Sequence, residues 1–280
     1  MEFLKTVFFD PPYNALIALY NLVGDLGVAI ILLTILVKLA LLPLANKALR
    51  SQRRLQVLQP ELKKLQEKHK GDREAMTREI MAFYKKEGVS PASSCLPTLV
   101  QIPLLITLFY VFRDPFTEGH LGRLYDFVGR PTELDSHFAG LIDLSRTFDP
   151  AKLAEPTMIG ILVLAVLTGA LQFYQSRMLM PKDSDAIPGI NKQFMYILPV
   201  VSAGFALILP AALPLYWATT TLVSIIQQLV IMKEMPPQRA KAEGVADWNA
   251  ANPQDAIAAK PAKRSSKKGA QVTVRKRGDR

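Results

Sequence analysis

The sequence predicts an all-α, polytopic membrane protein in which five transmembrane helices surround a hydrophilic groove and a helical hairpin stands outside the bilayer. Three observations carry this expectation. Several apolar runs are each about long enough to cross ~30 Å of hydrocarbon at ~1.5 Å per residue. Charge is kept away from them: half of the 280 residues are apolar, yet 34 Lys and Arg stand against 24 Asp and Glu. Between the first two runs, apolar residues recur at helical spacing. A soluble chain of this length would form one or two ordinary domains, which this segregation disfavours. The lone cysteine, Cys95, leaves no intramolecular disulfide to be made within the sequence.

In chain order, the N-terminus first resembles a signal peptide. Glu2 spoils its basic region, however, Asp10-Pro11-Pro12 interrupts the apolar run, and no small-residue cleavage site follows. It reads as retained. Tyr13 to Val23, with Leu16, Ile17, Tyr20 and Leu22 among few charges, suits a short helix lying in the membrane interface, with a frayed leader as the alternative. Residues 1–25 thus form an N-terminal segment and 26–232 the membrane core.

The spans predicted are Leu26 to Leu44, Cys95 to Phe112, Met158 to Tyr174, Phe194 to Leu209 and Leu213 to Met232, each bounded by charge, proline or glycine. From Phe194 to Met232 no residue is charged. That length is about twice one crossing, so the chain must turn back, and Pro210-Ala-Ala-Leu-Pro214 is the place for it. Within 46–94, Leu55, Leu58, Leu62 and Leu65 mark one amphipathic arm, Gly71-Asp72 a turn, and Met76, Ile80, Met81 and Phe83 a second arm. Pro60 is expected to bend the first arm. Two such helices can cover each other without any partner, so the hairpin alone does not imply a ligand.

Orientation follows from the basic residues. Segment 46–94 is rich in Lys and Arg, whereas 114–155 holds only Arg123, Arg130, Arg146 and Lys152 among its acids. The first segment is therefore expected in the cytoplasm and the second outside, which puts the N-terminus outside and the C-terminus inside. Residues 233–280 turn to Pro, Ala, Lys and Arg and read as a disordered basic tail. Its cluster Lys263-Arg264-Ser-Ser-Lys267-Lys268 and the terminal Arg275-Lys276-Arg277 suit anionic lipid or ribosomal RNA phosphates.

Among Asp, Glu, Lys, Arg and His, the five spans contain one residue, Lys38. A lysine near mid-helix costs roughly 2.5–3.5 kcal/mol on insertion scales, so it marks either a polar interior or a side chain snorkelling toward the helix end. Polar company favours the interior. Thr34 lies one turn before Lys38; Thr168, Gln172 and Gln175 form a stripe on the third span; Trp217, Thr221, Ser224 and Gln228 form another on the fifth, beside Gln227; Gln101 sits mid-span in the second. Each stripe alone would serve as interhelical glue. Together with one cation they predict a shared hydrophilic concavity.

No acid shares that concavity, which disfavours proton-coupled or cation-coupled carriers. His69, His120 and His137 stand apart, without H-E-x-x-H spacing, and neither G-x-S-x-G nor a P-loop occurs. No enzymatic activity and no cofactor is expected.

Several segments then resemble the YidC/Oxa/Alb insertase family. Gly27-Val-Ala-Ile-Ile-Leu-Leu-Thr34 leading to Lys38 and Leu42-Pro43-Leu44 is similar to its first core span. Leu58-Gln-Pro-Glu-Leu62 with Lys64, Tyr84-Lys-Lys-Glu-Gly88-Val89-Ser-Pro91, and Cys95-Leu-Pro97 with Gln101-Ile-Pro103 resemble its hairpin and second span. Ile142-Asp-Leu-Ser145 with Asp149-Pro150 resembles its external loop, Gln175 near Met178 its third span, and Leu215-Tyr-Trp217 with Ile225-Ile-Gln-Gln228 its last. The resemblance runs in order from Tyr13 to Met232.

It implies a hydrated groove open to cytoplasm and lipid, and a basic residue on the first span, a position that Lys38 fills where many members have arginine. The large periplasmic domain of some members and a lipobox cysteine near the N-terminus are absent from the sequence, which suits a compact bacterial type. The function implied is insertion of nascent proteins into the bacterial cytoplasmic membrane. Lys38, Thr34, Gln101, Gln172, Gln175, Trp217, Thr221, Ser224 and Gln228 would line the groove. The partners implied are nascent membrane proteins, the Sec translocon, the ribosome through the basic tail, and lipids, with the chain as a monomer. An anion-selective channel or solute carrier using the same groove is the alternative, and a purely structural scaffold a third reading.

Overall fold

The computed structural model describes residues 6, 9–89, 105, 106, 109, 122–131, 135–179, 190–237 and 240. The expected second span, with Gln101, falls largely outside the described residues, as does nearly all of the basic tail.

Helix α1 spans Asp10–Val23. Its first turn contains Pro11 and Pro12, so the helix begins three residues ahead of the start expected at Tyr13. The reason is local: first-turn N–H groups have no intrahelical acceptor, and proline loses nothing there. Gly24, at φ +72°, closes α1 by donating its N–H to the Tyr20 carbonyl, a left-handed cap that glycine adopts without strain. The apolar stripe of α1 faces protein: Tyr13, Leu16, Ile17 and Tyr20 are buried, while Leu22 points outward.

Helix α2 spans Leu26–Ala40 and α3 spans Leu42–Lys68, bent by 70° at Leu41. The first span therefore ends four residues earlier than expected. Pro43 explains the break: it has no N–H to return to the Leu39 carbonyl, and its ring crowds that carbonyl. Pro60, by contrast, lies within α3, which continues through it to Lys68.

Helix α4 spans Arg73–Lys86 and returns along α3 after a turn in which the Asp72 carboxylate accepts from Glu74 N at 3.1 Å and Ala75 N at 2.9 Å. The hairpin is as expected. Leu58 and Leu62 are buried on α3. Met81, expected on the inner face of the second arm, is instead exposed, because it stands about 100° around the helix from Ile80.

Helices α5 (Pro156–Leu179), α6 (Ile190–Ile208) and α7 (Ala212–Glu234) complete the bundle. The α6–α7 reversal takes only residues 209–211, at the proline-bounded segment expected to turn. Both α5 and α7 are long and apolar enough to cross a membrane, and the bent α2–α3 pair passes the same test when taken together, as a broken span or a re-entrant loop. The apolar part of α6, Tyr196–Ile208, is shorter. Where α5 meets α6, a β-carbon on Gly169 would stand 3.0 Å from that of Ala203, the close approach that small residues permit between membrane helices. Val163 and Val166 on α5, Val200 and Ile208 on α6, and Ile226 and Val230 on α7 point outward, as a lipid-facing surface requires.

A short antiparallel hairpin, β1 (His137–Phe138) and β2 (Ile142–Asp143), stands on the opposite end of the bundle from α3. No strand was expected there, since two-residue strands leave no periodicity to read. The Asp25 carboxylate ties the hairpin to α2: it caps that helix by accepting from Val28 N and accepts Ala139 N at 2.7 Å. Beyond β2, Leu144 is fully buried, and its carbonyl accepts Ala212 N at 3.0 Å. The Arg146 carbonyl accepts Ala211 N at 2.9 Å, so this loop staples the α6–α7 turn.

Candidate functional site

Lys38 lies in the last turn of α2 rather than near its middle, because the helix ends at Ala40. Two consequences follow. A cation there suits the partial negative charge of a helix C-terminus. Its side chain also leaves α2 sideways, toward α7, where Nζ donates to Ser224 Oγ at 3.0 Å. Ser224 donates its own hydrogen to the Thr220 carbonyl at 2.8 Å, which turns its lone pairs toward the ammonium. Lys38 is thus half-buried and held by a neutral acceptor.

The other expected residues divide into three groups. Thr34 is buried one turn before Lys38, with its hydroxyl donated to the Ile30 carbonyl at 2.7 Å. On α7, Thr221 and Gln228 are buried and Trp217 is half-buried. On α5 the stripe splits. Thr168 is buried against α7, its hydroxyl 2.7 Å from the Leu164 carbonyl and 3.4 Å from that of Pro214, which is interhelical glue. Gln172 and Gln175 are half-buried, and among the described residues no hydrogen bond joins them to Lys38. Gln101 lies outside the described residues.

Gln228 opens a part of the site that the sequence did not point to. It shares a recess with Ile231 and Met232 of α7 and with Leu49, Gln52, Arg53 and Gln56 of α3. Position 228 is one helical turn beyond Ser224, so the polar stripe of α7 continues from Lys38 to the base of the hairpin. Arg53 Nη1 donates to Gln56 Oε1 at 2.6 Å and Nε to the Met235 carbonyl at 3.4 Å; Gln56 Nε2 donates to the Met178 carbonyl at 3.0 Å. Burial lowers the Arg53 guanidinium below its ordinary pKa. The signal was present as basic and amide residues at positions 52, 53 and 56, but such a stripe reads equally well as a solvated face.

Over residues 18–239 the chain matches the family described as 60Kd inner membrane protein. It is 34% identical over 212 residues to a membrane protein insertase YidC of Fusobacterium nucleatum, covering 76% of this chain and 88% of that one. A Streptomyces avermitilis protein of the same name is 32% identical over 228 residues, and one from Granulibacter bethesdensis 36% over 238. These matches cover 78% and 82% of this chain but only 53% and 39% of those longer relatives.

Proposed function

The chain belongs to the 60Kd inner membrane protein family, and from that premise we propose how it acts as a membrane protein insertase: Lys38 draws a short hydrophilic stretch of a nascent protein into a wet recess between helices. The client's apolar segment meanwhile leaves sideways into lipid along α5 and α7. Removing water from polar and charged groups is the dominant barrier to such a transfer, so a recess that keeps them hydrated lowers it without fuel.

The observation that carries this reading is the contact between Lys38 and Ser224. A structural ammonium in a low-dielectric setting would be matched with a carboxylate, as Arg123 is matched with Asp10 at 3.1 Å. Lys38 meets a hydroxyl instead. Its charge is left to attract acidic residues of a client, briefly and without the bidentate grip that arginine would add.

The remaining placement follows from charge. Hairpin α3–α4 and the basic tail face the cytoplasm, the β hairpin and the N-terminus face outward, and residues 26–232 form the working core. The chain works as a monomer, alone or beside the Sec translocon, and its tail holds the ribosome or anionic lipid while the hairpin receives the client.

The deciding experiment replaces Lys38 by alanine and by arginine and follows insertion of a Sec-independent client in cells depleted of their own insertase. A charge-assisted contact is worth about 1.5–3 kcal/mol, so Lys38→Ala should slow insertion by about tenfold or more, while Lys38→Arg sustains it. Insertion indifferent to both changes would overturn the mechanism. A solute path through the same residues would instead appear as anion flux lost in Lys38→Ala.

A further inference from the structure

We propose that the turn holding Tyr125 and Phe127 is a lipid anchor: its rings enter the headgroup region of the leaflet at the end of the bundle opposite the α3–α4 hairpin. Together with the last turn of α1 they set the depth at which that end sits. The anchor requires that the helices cross a membrane, but it is independent of what the chain inserts.

Large apolar side chains scattered singly over a surface need no explanation, whereas a contiguous patch does. Phe127 is 83% exposed and Leu22 79%, the two most exposed large apolar side chains among the described residues. They belong to segments far apart in sequence, yet hydrogen bonds hold those segments together. Asn21 Nδ2 donates to the Gly129 carbonyl at 2.6 Å, and Asn14 Oδ1 accepts Tyr125 N at 2.6 Å. Val128 N closes the turn on the Tyr125 carbonyl at 2.8 Å, and the Val128 side chain is buried in the core. With Val128 plugged inward, its neighbour Phe127 is left projecting outward. The Phe127 ring stands 5.5 Å from that of Tyr125, centroid to centroid, so the turn presents the two as a pair. On the other side of the α1 terminus, the Asp25 carboxylate holds Ala139 N at 2.7 Å and so brings up the tip of the β hairpin with exposed Leu141.

Three observations identify lipid as the occupant. The patch is continuous with a membrane helix: only Gly24 and Asp25 separate Leu22 and Val23 from α2, whose Val28 is exposed in turn. Its residue types are those of a membrane interface, where an aromatic body, with a polar tip in Tyr125, bridges hydrocarbon and headgroups. Its charges limit the depth. Asp126 stands exposed between the two rings and Arg130 on the far side of the turn, and hydrocarbon is costly for both. The rings therefore stop at the headgroup boundary. The lipid-facing sides of α5, α6 and α7 would by themselves let the bundle slide along the bilayer normal. A ring that water disfavours, flanked by charges that hydrocarbon disfavours, resists sliding in both directions.

Two measurements test this on the full chain, reconstituted in vesicles of phosphatidylcholine and phosphatidylglycerol. In the first, Phe127→Trp is read by tryptophan fluorescence after subtraction of the parent's own signal from Trp217 and Trp248. The added emission should be blue-shifted, and lipid brominated near the headgroup should quench it more than lipid brominated near the chain end. Met81→Trp, on an exposed position of α4, supplies the comparison. Quenching of Phe127→Trp no stronger than that of Met81→Trp would mean that the turn faces water or a protein partner, and would overturn the anchor.

In the second, Leu22→Trp is read in the same way with and without Phe127→Ser. Losing the ring should reduce the quenching at position 22 by headgroup-brominated lipid and shift its emission to the red. Unchanged values would show that Phe127 does not set the depth and would overturn the proposal. Because Phe127 is exposed, its replacement should leave the unfolding midpoint in detergent at the parent's value. A lowered midpoint would make the ring a packing contact and would count equally against the anchor.

Discussion

Phe138 of the β hairpin covers Gly27 of α2 so closely that a β-carbon on the glycine would run into its ring. Ile142, on the paired strand, covers Gly160 of α5 in the same way. Gly27→Val should therefore push the hairpin off the bundle, at an overpacking cost of about 1–3 kcal/mol. The measurements are the unfolding midpoint in detergent and the thiol reactivity of Ala139→Cys. A midpoint and a reactivity both equal to those of the parent would show that the hairpin does not depend on this slot.

Asp10 and Arg123 form the best-buried ion pair among the described residues, with both carboxylate oxygens within 3.2 Å of Nη1. Asn14 braces the pair by donating to the Arg123 and Asp10 carbonyls and accepting Tyr125 N at 2.6 Å. Arg123→Ala leaves a buried carboxylate uncompensated and should cost on the order of 3 kcal/mol. Adding Asp10→Ala should recover part of that loss, since coupled residues do not add. Strict additivity in a double-mutant cycle would mean the pair is not coupled.

Ser224 holds the Lys38 ammonium, but on the mechanism proposed here it is a resting place and not the source of the attraction. Ser224→Ala should change client insertion by about threefold or less, the scale of one ordinary hydrogen bond of ~0.5–1.5 kcal/mol. A loss as deep as that of Lys38→Ala would mean that the geometry of the pair, and not the charge, does the work.

The outer hairpin should weaken in acid. Burial pushes the Asp143 carboxyl up, but hydrogen bonds from Ser145 and Ser136, with the nearby His137, outweigh it and hold the group below the usual carboxylate range. A lowered folded-state pKa stabilises the fold above the unfolded value of about 3.9, and that stabilisation is lost as pH falls through the folded value. Wild type should therefore lose more thermal stability than Asp143→Asn between about pH 5 and about pH 3. Parallel profiles for the two proteins would refute the assignment.

Much of the architecture was legible in the residues because its causes are short-range. Apolar runs without charge become helices α5, α6 and α7, the leucine spacing of 55–65 becomes one arm of a hairpin, and Asp72 caps the other. Lys38 stood out because an ionisable residue inside an apolar run is costly wherever it lies. Where the reading slipped, the competing cause was also local: Pro43 ends a helix four residues before the expected span does.

Hydrophobicity, helix propensity and charge belong to residues one at a time, so the helical, apolar segments and the single cation among the expected spans could be read directly from the residues. Packing was needed to bring Lys38 to Ser224, 186 positions away, to make Thr168 glue while Gln228 faces the arm, and to set Arg53 and Gln56 against the ends of α7 and α5. Those pairings depend on the 70° bend at Leu41 and on how the helices pack. A polar side chain at helical spacing carries no mark of the partner it will meet, because hydrogen bonds form between surfaces that only folding brings together.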